Sequence, residues 1–287
     1  MTYWNEKKDN HIQYWSTPAY PSYYRNKHEI TEEGYRGDML QKSKVVYLGS
    51  CDVMSNIENK KLRWIELLRD KMHPNEPLIA LGTVASGLPS MVRRLYAYIQ
   101  NFGAPEIVYM SVPRFDGYEH VNRQGKCYNL STRTGSVNFC KRVNLVDEQD
   151  HEVWLTEIEC KKKMNSIYSN RYILEERFAF IETLCKLHNI NLKWTFNPSD
   201  ASIVVLYQNI TIFNDISDFM KKSFVGLPYV KDQAYDRSVG PETHKEIFEK
   251  FINPEPWDYE KFCKVAQENY IWASARYGKE IIKMENE

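Results

Sequence analysis

A hydroxyl, a thiol and a carboxylate stand in a row at Ser50-Cys51-Asp52, directly after Gly49. A thiol at the mouth of a helix could act as a nucleophile, because a helix N-terminus favours both a thiolate and a developing oxyanion. Such a group needs a base within hydrogen-bond reach. The candidate is His244, on the late segment that also carries Asp236. Arg114, which follows Pro113, could hold an anionic group. Each residue also has a plainer reading. Cys51 could be a small apolar residue at a buried turn, and Asp52 the cap of a helix beginning near Val53. Arg114 could pair with Asp116, and His244 could be a packing or surface histidine.

No metal or cofactor is expected. His73, His120, His151 and His188 are isolated, the acidic stretch around Asp147 to Glu152 reads as a solvated turn, and the six cysteines form no C-x-x-C pair. They read as reduced thiols. Gly82-Thr83-Val84-Ala85-Ser86-Gly87 lacks the lysine of a phosphate-binding loop, which argues against a nucleotide.

For the first group of side chains to meet, a scaffold must bring distant loops together. Val45-Val46-Tyr47-Leu48-Gly49 is a short β-branched run ending at glycine, as expected of a buried parallel strand entering a functional loop. Helical spacing of Ile57, Trp64, Ile65, Leu68 and Met72 predicts a helix over 55–72. A second strand at 77–82, a helix from Leu88 to Asn101 and a third strand at 106–112 complete a βαβαβ pattern, which implies right-handed crossovers and a parallel sheet. Residues 114–165 break this rhythm and read as an insertion, with alternation at Val153 to Ile158 suggesting a β-hairpin flap. The pattern resumes with a helix over 170–188, striped by Leu174, Phe178, Ile181 and Cys185, and a strand at 191–196. Residues 203–221 fit strand or helix equally. A loop at 232–240 precedes a helix opening at Pro241. In open parallel sheets ligands bind beyond the carboxyl ends of the strands, so the loops after the first three strands and the late Asp/His loop are expected to converge.

The domain reading is an N-terminal arm (1–42), an α/β domain (43–256) and a C-terminal helical tail (257–287). The arm mixes aromatics and charges without a period; arm and tail are expected to contact other chains or wrap the domain, and neither to join the sheet. Lys plus Arg and Asp plus Glu both number 38, so no net field points to a nucleic-acid partner. The first eight residues contain no apolar signal-peptide core, and no run approaches the ~20 apolar residues of a membrane span. These features predict synthesis in a cytoplasm without a membrane anchor.

The run from Val45 to Met54 resembles the first block of the SGNH (GDSL-like) hydrolases, in which Gly-x-Ser follows the first strand. Cys51 falls on the nucleophile position, with Ser50 beside it. Gly82 matches the second block, whose glycine amide lines the oxyanion hole. The third block normally reads Gly-x-Asn-Asp; here Ser111-Val112-Pro113-Arg114-Phe115-Asp116 lacks the asparagine. The fourth block is Asp-x-x-His before the last helix. Asp236-Arg237-Ser238-Val239-Gly240-Pro241 keeps the aspartate and the Gly-Pro helix start, with Val239 on the base position, and resembles the equivalent segment of phage-encoded members. The resemblance spans residues 44–253 and implies a three-layer α/β/α sandwich with a mainly parallel, flavodoxin-like sheet.

It also implies a function. With the base position vacant and the asparagine missing, the expected role is that of a catalytically inactive, virion-associated structural protein, made in the host cytoplasm and contacting other virion proteins through arm and tail. One alternative is an esterase or deacetylase acting on a carbohydrate ester, with Cys51 as nucleophile, His244 as base, Asp236 orienting it, and the Gly82 and Cys51 amides facing the oxyanion. Another is a carbohydrate-binding module that keeps cleft aromatics such as Phe115 and Tyr118.

Overall fold

The computed structural model describes residues 36–54, 59–82, 87–113, 117–121, 127–131, 155–157, 159–160, 167–198, 215–232 and 239–277. Its strands are β1 (Arg36–Gly37), β2 (Val45–Leu48), β3 (Ile79–Ala80), β4 (Ile107–Val112), β5 (Gly117–Val121), β6 (Cys127–Ser131) and β7 (Asn191–Phe196). β2 pairs in parallel with β3 on one side and β4 on the other, with Val46 opposite Ile79 and Val45 opposite Ile107. β7 follows β4 in parallel, from Ile107 opposite Asn191 to Val112 opposite Phe196. The sheet order is thus β1-β3-β2-β4-β7, with β1 antiparallel at the edge. Going outward from β2, the chain first adds β3 on one side and then β4 on the other. The direction of winding therefore reverses between β2 and β4, the place where ligand clefts form in such sheets.

The helices are α1 (Cys51–Met54), α2 (Trp64–Met72), α3 (Leu88–Phe102), α4 (Ile167–Leu187), α5 (Asp218–Ser223), α6 (Pro241–Ile252) and α7 (Tyr259–Tyr277). Alternation along β2 sends Val46 and Leu48 to one face and Val45 and Tyr47 to the other. The first face is covered by Met91 and Leu95 of α3, Phe178 and Ile181 of α4, and Phe262 and Val265 of α7. The second is covered by Trp64, Ile65 and Leu68 of α2 with Ile247 and Phe251 of α6. Helices on both faces explain why the central strands β2 and β4 are almost continuously apolar, and the result is an α/β fold compatible with a three-layer sandwich.

Beyond β7 the sheet is continued by irregular chain. Phe224 makes a single parallel bridge to Trp194, Val225 N donates to Trp194 O at 3.0 Å, and the Thr195 hydroxyl donates to Gly226 O at 2.6 Å. On the outer side Glu255 N donates to Val225 O at 3.1 Å, which closes that edge.

The expected strands at 44–49, 77–82 and 106–112 lie side by side, and 191–196 matches β7. Three expectations need correction. The helix predicted over 55–72 is interrupted: a 3-10 turn at Lys60–Leu62, capped by Asn59 accepting from Lys61 N, ends at the extended Arg63, and α2 starts afresh at Trp64. In the insertion, the antiparallel hairpin is β5–β6, whereas Leu155 to Glu157, read as alternating strand, is helical. The end of the predicted arm does join the sheet, as β1. It is also tied to the body: Asp38 accepts from Leu78 N at 2.7 Å, and the Tyr98 hydroxyl donates to Gln41 O at 2.7 Å. As expected of a tail that wraps the domain, α7 packs back on it, burying Phe262, Val265 and Ala266, and Asn269 bonds Val230 N and Pro228 O. Residues 1–35 of the arm and 278–287 of the tail lie outside the described residues.

Candidate functional site

The turn after β2 is shaped by Val53. A β-carbon placed on Gly49 would come 2.3 Å from Val53 Cγ2, and one on Gly82 would come 2.5 Å from Val53 Cβ and Cγ1 and 3.3 Å from Ser50 O. Both glycines therefore admit the first turn of α1 against the ends of β2 and β3. The structure thus brings Gly82 and the Ser50-Cys51 turn together. Ser50 itself is buried, and its carbonyl accepts from Val53 N at 3.1 Å. The Cys51 side chain lies outside what the structure describes.

Asp52 is fully buried, and it does not cap α1 from the N-cap position. Its Oδ1 reaches back to accept from Ser50 N at 3.0 Å. Burial raises its pKa, an effect opposed by the Ser111 hydroxyl and by the backbone amides of Ser50, Asp52 and Val53. Ser111 is close enough to favour the carboxylate without closing a well-formed hydrogen bond: Asp52 Oδ2 and Ser111 Oγ are both buried with no such partner among the described residues. Ser111 sits on β4 and Asp52 follows β2. This polar pair therefore stands at the reversal of the sheet.

His244 occupies the first turn of α6. Its imidazole is fully buried, and its Nδ1 accepts from Trp64 N at 3.1 Å. An amide only donates, so Nδ1 holds the lone pair and Nε2 the proton. This is the packing reading of His244, made specific by the bond: the ring caps α2, whose own N-cap residue, Arg63, makes no side-chain capping bond. Beside it Arg63 and Glu66 form a buried ion pair at 3.2 Å.

The start of α6 is held by Asp232. Its carboxylate accepts from Thr243 N at 2.8 Å and from Glu242 N at 3.1 Å, while Thr243 Oγ1 accepts from the amides of Lys231 and Asp232 at 3.0 Å. A β-carbon on Gly240 would stand 2.4 Å from Asp232 Oδ2, so the glycine of the Gly-Pro start is demanded by this carboxylate. Val239, on the family's base position, is buried. Asp236 and Arg114 lie outside the described residues.

Sequence reasoning missed Asp232, Ser111 and the Arg63–Glu66 pair. An aspartate upstream of Gly-Pro-Glu-Thr is a recognisable helix-start signal, but Asp232 and Asp236 carry it equally. Among the described residues no group of three or more His, Cys, Asp or Glu side chains could hold a metal ion, and no helix is long and apolar enough to cross a membrane. Comparison of the chain with family models, curated proteins and solved structures finds no match.

Proposed function

We propose that this chain is an SGNH-like domain without a working acyl-transfer centre, serving as a virion-associated scaffold. The observation that carries the non-catalytic reading is the bond from Trp64 N to His244 Nδ1. A neutral imidazole has one lone pair, and here an amide uses it. The other nitrogen already bears a proton, so it cannot take one from Cys51, as a base paired with a nucleophile must. A buried valine at the family's base position supports the same reading.

The virion setting rests on the likeness of the segment from Asp236 to Pro241 to phage-encoded members. Packing of α7 on the body means that a partner would meet the tail as part of the domain surface, where Ile271 is exposed. Hydrolysis of a generic acyl ester should be absent in the wild type and unchanged in Cys51→Ala. Activity that disappears in Cys51→Ala would overturn the non-catalytic reading. Purified virions should carry the chain as a stoichiometric band; its absence from them would overturn the structural role.

A further inference from the structure

The contact between His244 and Trp64 joins helices 180 residues apart in sequence, and it has a chemical condition. The bond exists only while Nδ1 is unprotonated. A proton taken up from solvent at Nδ1 would set two N–H donors facing each other at the 3.1 Å now spanned by a hydrogen bond. The ring is fully buried between α6 and α2, so turning it to relieve the clash means separating the helices.

Among the described residues, the surrounding charges add to this condition. On α2, Glu66 is already paired with Arg63, and the start of the helix presents its positive end to the ring. The preceding 3-10 turn, which also packs against α6, carries Lys60 and Lys61. On α6 itself Glu242 and Lys245 are exposed, and the Asp232 carboxylate before it is committed to the amides of Glu242 and Thr243.

We infer that His244 is an acid-sensitive clamp: it holds α6 against α2 in its neutral form and releases the pair on protonation. The contact requires the neutral ring, and histidine is the side chain whose charge changes in the physiological pH range. Stability is therefore fully present above that range and is lost as pH falls through it. Because release consumes one proton, opening of α6 from α2 should rise about tenfold per pH unit below it. His73, at the far end of α2, is also disfavoured as a cation, chiefly by burial. A pH scan alone would mix the two histidines.

The test compares the full-length wild type with His244→Gln, whose side-chain oxygen accepts from an amide at any pH. Hydrogen exchange of α2 and α6 amides, corrected for the intrinsic pH dependence, is measured from pH 7.5 to 5. The wild type should show the tenfold-per-unit rise, and His244→Gln should not. Imidazole nitrogen resonances of the wild type give a second readout that needs no variant: below the titration range, a bare Nδ1 should be seen only in molecules whose α2 and α6 remain protected. Parallel exchange profiles in the two proteins, or a doubly protonated His244 with protection intact, would overturn the clamp.

Discussion

On one face of the sheet Trp194 meets Phe178, Phe196 and Phe224 with ring centroids 4.9, 5.2 and 4.9 Å away, and its Nε1 donates to Met220 O at 2.8 Å. On the other face Tyr47 stacks on Tyr109 at 5.7 Å and meets Trp64 edge-on at 6.0 Å, yet Tyr47 Oη and Trp64 Nε1 are buried without a hydrogen-bond partner among the described residues. The first face is the larger apolar core, with its central indole N–H satisfied and one buried guanidinium, Arg94, donating to Leu81 O at 3.1 Å and Ser90 Oγ at 2.7 Å. The second carries an ion pair, a histidine cap and bare polar atoms in a smaller core. Apolar packing supplies stability wherever volume is conserved, whereas buried polar contacts fix position at some cost in stability. The larger face is thus the stabilising one, and the smaller sets how α2 and α6 sit.

The largest test of that division is Trp194→Ala. It removes the centre of an aromatic cluster and should cost about 3–5 kcal/mol in a denaturant titration, by lost burial and a residual cavity. A loss under about 1 kcal/mol would break the comparison. A smaller effect is expected at the carboxyl end of the sheet. Burial raises the Asp52 pKa above its ordinary value, so Asp52 favours the fold fully below the unfolded carboxyl pKa of about 4 and less as pH rises through its folded pKa. Asp52→Asn should flatten this alkaline-side decline when melting temperature is followed against pH; an unchanged slope would mean that another group sets it. The smallest effect should come from Tyr47→Phe. Deleting a buried hydroxyl without a partner should leave stability within about 1 kcal/mol of wild type, on the stabilising side. A clear loss would show that the hydroxyl is bonded in solution.

The elements that sequence reveals are those whose pattern is local. β2 and β4 are apolar runs, β7 alternates polar with apolar residues, and the stripe Leu174, Phe178, Ile181, Cys185 is buried along α4 as its spacing requires. The pairing of Arg36–Gly37 with β3 leaves no local trace in two residues. Nor does the extended Arg63 that separates the 3-10 turn from α2, because Leu62 and Trp64 on either side keep the helical hydrophobic pattern going. At the candidate site, the meeting of Gly82 with the Ser50-Cys51 turn is legible through motif blocks. His244 is legible only as a choice between base and packing residue. Its partner is an amide from another helix, and backbone groups have no letter in the sequence. The choice between Asp232 and Asp236 is hidden for the same reason, since distance in space, and not residue type, decides which carboxylate reaches the Glu242 and Thr243 amides.

The cap on Trp64 also sets a timetable. His244 lies 180 residues downstream, so at roughly 5–20 residues per second of synthesis, α2 waits on the order of 10–40 s for its capping residue to leave the ribosome. The larger face can begin to form as soon as α3 follows β3, through contacts close in sequence. The smaller face stays open until α6 arrives, with Tyr47, Trp64 and Tyr109 uncovered in the nascent chain. A stall or truncation before residue 244 would release a half-covered sheet with an aromatic side, the kind of surface that chaperones and proteases act on.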